Sequence, residues 1–275
     1  MSEDSRAKID SLRSTLLKLR SSLSAEDASQ MFEQLDELCL RLELDTEERR
    51  QFVSHVSHEL RVPMTSILGY TDLLRKGIFG PVNDQQLDFL NIIRSNVDRM
   101  ATLVSDLSDL SKLDTGTLLL ELEACRLQDV VDGVVRNLQP AFTDRNQNFK
   151  TTLPADLPPV HADPKRLAQV LTNLLNNANQ YTPPGGSISV HIVRDERMAR
   201  FEISDTGIGI SSEDQSRLFE QFFRSENAAV REHPGWGLSL SVSKGLVEQM
   251  GGAMGASSKP GEGYTFWFTV PLIVE

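Results

Sequence analysis

The residue pair best suited to chemistry in this 275-residue chain is a histidine followed directly by an acid, His58 and Glu59. A neutral imidazole is a good nucleophile near neutral pH, and a neighbouring carboxylate can accept the proton from its second ring nitrogen. Pro63 lies five residues further on, inside a helical pattern where proline costs about 3 kcal/mol. A lone outward histidine is usually an ordinary surface residue, but this acid and this proline together indicate a site.

The residues around His58 repeat with the spacing of a helix. Taking Val53 and Leu60 as a positions of a heptad and Val56 as d places His58 at f, which faces away from the seam. We therefore expect the His58 imidazole to be exposed on the outer side of the helix. His55 falls at c and also faces outward, but no acid follows it. A metal site formed by the two histidines is the less favoured alternative, because the sequence offers no further ligands nearby.

Two long helices are expected to position this histidine. Apolar residues step by three and four over 48–76 and again over 90–107, and the glycines and proline of 77–84 interrupt the pattern. Two such helices joined by a short loop form an antiparallel hairpin. One hairpin cannot cover both of its apolar seams, so we predict a homodimer with a four-helix bundle; packing on the rest of its own chain is the alternative. The predicted seam residues are Val53, Val56, Leu60, Pro63, Ile67, Tyr70 and Leu74, followed by Leu90, Ile93, Val97, Met100, Val104 and Leu107.

The chain divides into three predicted parts. Residues 1–47 have apolar residues at helical spacing, which predicts an N-terminal coiled-coil helix that passes a signal; a surface helix on some core is the alternative. Residues 48–114 form the hairpin, and residues 115–275 form a second domain beyond a hinge near 113–121. Strand-like alternation occurs over 187–193, 200–204 and 264–270, and helical spacing over 164–180 and 238–250. This order predicts an α+β layer, one sheet with helices on one face.

Several segments of the second domain have residue types that suit a nucleotide. Asn173 and Asn177 lie one turn apart on a helix, and amide oxygens suit Mg²⁺ that also binds phosphate and water. Asp205 follows a strand and precedes Gly207 and Gly209, where the missing side chains let a ligand approach the backbone. Taken singly, the first segment is equally well a polar helix face, and the second an ordinary turn.

The remaining segments lie towards the C-terminus. An apolar stretch that begins at Phe219 leads into a polar loop over 224–237, whose composition alone fits any exposed loop. Gly235-Trp236-Gly237-Leu238 then enters a helix, and backbone amides at a helix start favour phosphate oxygens. The segment 261–266, which contains Thr265, precedes the last predicted strand.

Taken in this order, the segments resemble the boxes of two-component sensor histidine kinases over residues 50–275. The phosphoacceptor box is Ser57-His58-Glu59-Leu60-Arg61-Val62-Pro63. The resemblance implies a helical-hairpin dimerisation domain followed by an α/β-sandwich ATP-binding domain of the GHKL type, which gyrase, the Hsp90 chaperones and the mismatch-repair ATPases share.

The resemblance also implies roles for particular residues. His58 attacks the γ-phosphate of Mg-ATP while Glu59 orients it and takes its proton. Asn177, supported by Asn173, holds Mg²⁺, and Asp205 accepts a hydrogen bond from the adenine amino group. The phosphoryl group then passes to an aspartate on the receiver domain of a separate response regulator. The other implied ATP-binding residues are Gln180, Tyr181, Gly207, Gly209, Phe219, Arg224, Gly235, Gly237, Leu238 and Thr265.

The sequence departs from the family pattern at several positions near the phosphates. Gln180 stands where lysine is usual, and Arg224 and Arg231 are the candidates to supply the missing charge. Ser239 stands where glycine is usual, which costs on the order of 1 kcal/mol if that position needs a positive φ. Trp236 is bulky for a lid that must move.

A further departure concerns the reverse reaction. Val62 lies four residues after the histidine, where the family often has a threonine or asparagine that orients a hydrolytic water. A valine cannot hydrogen-bond a water, so we predict weak or absent phosphatase activity towards the phosphorylated partner.

Composition excludes some functions. Lys plus Arg number 28 and Asp plus Glu 39, a net charge of −11, which works against binding to nucleic acid or to an anionic membrane surface. The longest apolar runs fall short of the ~20 residues of a membrane span. Cys39 and Cys125 form no disulfide framework and suit a reducing compartment, so we expect a cytoplasmic protein. Two rivals remain: a weakened kinase-like scaffold, and a GHKL ATPase that does not phosphorylate itself.

Overall fold

The computed structural model describes residues 53, 55–233, 235–259 and 263–273. The predicted N-terminal helix over 1–47 lies outside these residues. The chain separates into two compact units between Leu118 and Leu119. None of the helices in the described ranges combines the length and the apolar character that crossing a bilayer requires.

The first unit contains a helical hairpin, as the sequence predicts. Helix α1 covers 55–75, and helix α2 covers Asp84–Asp114. The turn between them uses Gly77 and Gly80 with φ of 68° and 118°, values that glycine adopts without strain. Asn83 then starts α2 with a capping box: its side chain accepts from the amide of Gln86, and its own amide donates to the Gln86 side chain at 2.9 Å.

The two helices of the hairpin pack through a small apolar cluster. Met64 of α1 is buried with Val97 and Val104 of α2, and Leu68 and Ala101 pack at its edge. Near the turn, Arg94 of α2 reaches across to the carboxylate of Asp72 on α1, which Arg75 also contacts at 3.4 Å. The charged contacts are half-exposed, so the apolar cluster contributes most of the hairpin's internal stability.

The residues of the predicted seam on α1 are not the ones that the single chain buries. The buried positions are Ser57, Met64 and Thr71, spaced by seven. They are e positions in the predicted heptad, about 40° around the helix from a. Two of these three residues are polar, and Met64 supplies the apolar contact with α2. The neighbouring stripe of the predicted seam stays exposed, from 38% for Leu60 to 68% for Tyr70. On α2, the prediction is confirmed for Val97 and Val104, whereas Ile93 and Met100 are exposed.

The second unit is an α/β layer, as predicted. Its strands are β1 (Glu123–Cys125), β2 (Asn148–Thr152), β3 (Val160–Ala162), β4 (Ser187–Asp195), β5 (Met198–Asp205), β6 (Met254–Lys259) and β7 (Gly263–Pro271). Its helices are α3 (Leu127–Asp144), α4 (Pro164–Tyr181), α5 (Ser212–Arg217), α6 (Ala228–Arg231) and α7 (Ser239–Gln249). The described strands form a five-stranded sheet in the order β2-β4-β5-β7-β6 and a small β1-β3 ribbon. The β2-β4 pair is parallel, and the other pairs are antiparallel.

Alternation along the central strands decides which face of the sheet is covered. Phe201 and Ile203 on β5 and Phe268 on β7 are fully buried, and the Phe201 and Phe268 rings stack at 4.3 Å. Helix α4 packs between α3 and α7 over this face. On the opposite face the side chains are half-exposed, and Arg200 lies 4.5 Å above the Trp267 ring. This confirms one sheet with helices on one face.

Candidate active site

The phosphoacceptor candidate is exposed, as the heptad phase predicts. The side chain of His58 is 71% exposed, and that of Glu59 is 65% exposed. Nδ1 of His58 lies 3.6 Å from Oε1 of Glu59, slightly beyond hydrogen-bond length, so a small rotation completes the contact. Helix α1 continues through Pro63, which has no N–H to donate to the Glu59 carbonyl one turn earlier. The ring nitrogen that faces away from the acid, Nε2, is free to act as nucleophile.

The metal alternative at this histidine gains no support. Among the residues that the structure describes, no three histidine, cysteine, aspartate or glutamate side chains gather as they would around a metal ion. His55 and His58 are both exposed on α1.

The asparagines of α4 lie on the side of the helix that contacts α7. Nδ2 of Asn173 is 3.2 Å from Oγ of Ser243 and 3.5 Å from the carbonyl of Ser239. Asn177 lies one turn further along the same side and is half-buried. Asn173 therefore joins the two helices, which leaves Asn177 as the better candidate for a cation ligand.

Asp205 is the last residue of β5 and is 7% exposed. The amide of Gly207 donates to its carboxylate at 2.7 Å. Burial raises the pKa of Asp205 from 3.8 to about 6, although the amides of Gly207 and Tyr264 oppose the shift. A buried acceptor at a strand end suits recognition of an amino group on a ligand.

The loop after Asp205 can be formed only with glycine at position 207. A Cβ on Gly207 would lie 2.5 Å from the carbonyl of Tyr181 and 2.7 Å from the Asp205 carboxylate. The amide of Ile208 also approaches the Tyr181 carbonyl, at 3.4 Å, and Gly209 adopts a φ of 65°. The structure thus brings the loop, Asp205 and the end of α4 together.

The end of α4 also meets the loop over 224–237. The ring of Tyr181 contacts that of His233 edge-to-face, with centroids 5.8 Å apart. Burial raises the pKa of Tyr181, while nearby Arg224 and a hydrogen bond from the Gln180 side chain oppose the shift. The side chain of Gln180 therefore contacts Tyr181 through a hydrogen bond.

Arg224 braces this loop. Its Nη2 donates to the carbonyls of Val230 and His233 at 2.7 and 2.5 Å. The expectation that Arg224 replaces a missing phosphate-binding lysine is therefore not supported by this geometry, whereas Arg231 is exposed.

The two stems of the loop are joined at Gly237. The Phe222 amide donates to the Gly237 carbonyl at 3.0 Å, and a Cβ on Gly237 would lie 2.4 Å from the carbonyl of Phe223. Trp236 next to it is 62% exposed and Gly235 is exposed.

The entry into α7 corrects the expectation for Ser239. This residue is the first of the helix, with Leu238 as a buried N-cap, and the positive φ of 70° belongs to Gly237. Serine is therefore unstrained at 239. Phe219 lies near the same helix, with Nζ of Lys244 5.3 Å from its ring centroid.

The structure does not bring Thr265 to Asp205. Register pairs Asp205 with Tyr264 and Ser204 with Thr265, and directly opposed residues of an antiparallel pair share a face. Thr265 bonds to Ser204 at 2.9 Å on the other side of the sheet. The residue that the sequence reasoning missed is Tyr264. Residues two apart in a strand share a face, so Tyr264 lies on the same face as the buried Phe266.

Comparisons with known proteins agree with this architecture. The model of the His Kinase A (phospho-acceptor) domain matches residues 48–116. The model of the histidine kinase-, DNA gyrase B- and HSP90-like ATPase matches residues 162–274. The crystal structure of full-length ShkA in complex with AMPPNP aligns with a TM-score of 0.67 and 26% identity, covering 82% of this chain and 46% of that one.

Two curated relatives agree as well. Sensor protein GacS of Pseudomonas syringae pv. syringae is 34% identical over 268 residues, which is 93% of this chain and 29% of GacS. The signal transduction histidine-protein kinase BarA of Escherichia coli strain K12 is 35% identical over 232 residues, which is 82% of this chain and 25% of BarA. The chain thus spans less than a third of either relative.

The exposed histidine lies in the part of the chain that the phospho-acceptor domain matches, and the buried aspartate lies in the part that the ATPase domain matches. The chain belongs to the two-component sensor histidine kinases.

Proposed function

We propose that this chain phosphorylates itself on His58 and passes the phosphoryl group to an aspartate of a separate response-regulator receiver domain. The observation that carries the proposal is the exposed His58-Glu59 pair, with Nδ1 turned towards the acid. Nε2 of His58 attacks the γ-phosphorus, the new P–N bond replaces the bond to ADP, and the Nδ1 proton passes to Glu59. Most of the rate then comes from positioning and charge neutralisation.

The nucleotide site in this proposal is the edge formed by β5, α4, the loop over 224–237 and α7. Asp205 accepts from the adenine amino group, and the glycine at 207 lets the base approach the backbone. Asn177 would hold Mg²⁺, since its amide oxygen is a neutral hard ligand on the side of α4 that faces the start of α7. When bound, this ion neutralises charge on the phosphates. The amides at the start of α7 suit the phosphates themselves.

We also propose that two copies pair through the exposed stripe of the hairpin. Leu60, Ile67 and Leu74 on α1 and Ile93 and Met100 on α2 leave a larger apolar surface exposed than a monomer usually tolerates. Covering it with the same face of a second hairpin forms a four-helix bundle.

The proposal extends to the location of the chain and to the roles of its segments. Because the reaction consumes ATP, we place this chain in the cytoplasm. We assign 48–114 to dimerisation and phosphotransfer and 115–275 to catalysis, with residues near 113–121 as the hinge between them. The segment 1–47 passes the signal, so its deletion should alter the kinase rate or the dimer; no change in either would contradict that role.

The test is incubation with γ-labelled ATP, scored for acid-labile protein label and for free phosphate. Wild type and His55→Gln should both take up label, and His58→Gln should take up none. His55 is the matched control because it is exposed on the same helix without a following acid. Free phosphate without protein label would favour the ATPase rival, and neither product would favour the scaffold.

A further inference from the structure

Tyr264 is a buried residue of the nucleotide site that the activity above does not use. It lies directly opposite Asp205 in the β5-β7 pair, so both side chains occupy the helix-covered face of the sheet. The Tyr264 side chain is 6% exposed. Within the described residues, its hydroxyl finds no hydrogen-bond partner. A buried polar atom without a partner is costly, and such an atom needs an explanation.

Packing and strand pairing hold Tyr264 beside Asp205. Phe266 stacks on one side of the Tyr264 ring, with centroids 5.0 Å apart and planes 4° from parallel. The preceding glycine lets β7 lie close against β5, since a Cβ on Gly263 would lie 1.9 Å from the Asp205 carbonyl.

Burial raises the pKa of Tyr264, and electrostatic interactions with Asp205, Tyr181 and Asp214 raise it further. Asp205 and Tyr181 belong to the proposed nucleotide site, whereas Asp214 lies on α5. The phenol therefore remains protonated and keeps an O–H to donate. Asp205, in contrast, has a carboxylate that accepts.

We propose that Tyr264 is a specificity-determining residue that reads the purine ring beside Asp205. Its hydroxyl donates to the ring nitrogen N1 of adenine, while Asp205 accepts from the 6-amino group. Guanine presents the opposite pair at these positions, a carbonyl and an N1–H. A site with one buried donor and one buried acceptor rejects such a ligand because both of its groups are left unpaired. This inference rests on the proposed function.

The test is calorimetric titration of the whole chain with ATP and with 1-deaza-ATP, in which a C–H replaces N1. Wild type should bind ATP about tenfold more tightly than the analogue. Tyr264→Phe removes only the hydroxyl. The variant should bind ATP about tenfold more weakly than wild type does and should bind 1-deaza-ATP as tightly as wild type does. It should therefore bind the two nucleotides equally. If the role of Tyr264 is purely structural, Tyr264→Phe should weaken the binding of both nucleotides alike.

The other outcomes are equally decisive. An unchanged preference for ATP in Tyr264→Phe overturns the inference. If Tyr264→Ser binds ATP more tightly than wild type, the ring blocks the base site and the inference also fails. If wild type binds neither nucleotide, the proposed function itself fails, and the inference with it. Thermal melts accompany each variant, and Tyr264→Phe should melt no lower than wild type because it removes an unpartnered buried hydroxyl.

Discussion

The two units of this chain place the residues of the proposed site in opposite environments. On the hairpin, His58 is surrounded by water, and an apolar stripe beside it stays uncovered. In the ATP-binding unit, Asp205 is buried at a strand end over a closed core. A phosphoacceptor must be reached by a separate ATP carrier, so exposure serves it. A base reader must exclude water to discriminate, so burial serves it. In the proposed function, the exposed histidine is accessible to bound ATP, and the buried aspartate holds the base.

Burial of an acid costs stability, and both units bear such a cost, at Asp106 on the hairpin and at Asp205 in the second unit. Asp205 has a folded-state pKa of about 6 against 3.8 unfolded. The folded state binds more protons between those values, so stability falls as pH rises through that window and the cost is complete above it. A pKa difference of about two units between the folded and unfolded states lowers the free energy of unfolding by about 3 kcal/mol above this window.

The largest expected effect on nucleotide binding is that of Asp205→Asn, which also changes stability. The free protein should gain up to about 3 kcal/mol at pH 7 in denaturant unfolding and almost nothing near pH 4. ATP affinity should fall at least about a hundredfold, because asparagine turns a charged acceptor into a weaker, neutral one. Equal stability of variant and wild type at both pH values would contradict the assigned burial cost.

A second experiment separates the buried stripe of the hairpin from its exposed stripe. Met64→Ala should destabilise the hairpin by about 2–5 kcal/mol, since it opens a cavity in the α1-α2 cluster. Ile67→Glu should leave the folding of the single hairpin nearly unchanged and dissociate the dimer in sedimentation experiments.

The control for the exposed stripe is Thr65→Glu, an exposed polar position on the same helix. It should leave sedimentation unchanged. A dimer that survives Ile67→Glu and dissociates with Thr65→Glu would place the interface on another face.

A smaller effect is expected at Val62, which is 60% exposed one turn after the histidine. Val62→Thr supplies a hydroxyl that can orient a water, so release of phosphate from the phosphorylated partner should rise about tenfold. Fast release by wild type, with no increase in the variant, would refute the weak-phosphatase prediction.

The smallest effect is expected at the start of α7. Ser239→Gly should lower stability by less than about 1 kcal/mol, because glycine is a poorer helix former and the position has helical backbone geometry. A clear gain in thermal stability would mean that serine is strained there after all.

Long periodic patterns allowed much of this fold to be predicted. Alternation over 187–193, 200–204 and 264–270 identified β4, β5 and β7, and the glycine-rich break identified the hairpin turn. Short strands such as β1 and β3 carry too few residues for periodicity, and helix α3 was not identified. The buried stripe of α1 could not be predicted, because it carries Ser57 and Thr71 beside Met64, and apolar spacing favours the neighbouring stripe.

At the site, the sequence could not predict the geometry of individual residues. Asp205 and Gly207 were singled out because they follow a strand, and the family resemblance gave Asp205 its expected role. The choice between Thr265 and Tyr264 depended on which side of the sheet each faces. The positive φ before α7 belongs to Gly237 rather than to position 239, and sequence spacing does not reveal that.

The central claim is that the outward imidazole of His58 is the phosphoacceptor, with its Glu59-facing nitrogen acting as the proton source. Nitrogen-15 and phosphorus-31 NMR of the ATP-treated chain, labelled in its histidines, tests this directly. We predict a single phosphohistidine, at position 58, with phosphorus bonded to Nε2. Phosphorus on Nδ1, on His55, or on no histidine at all would contradict it.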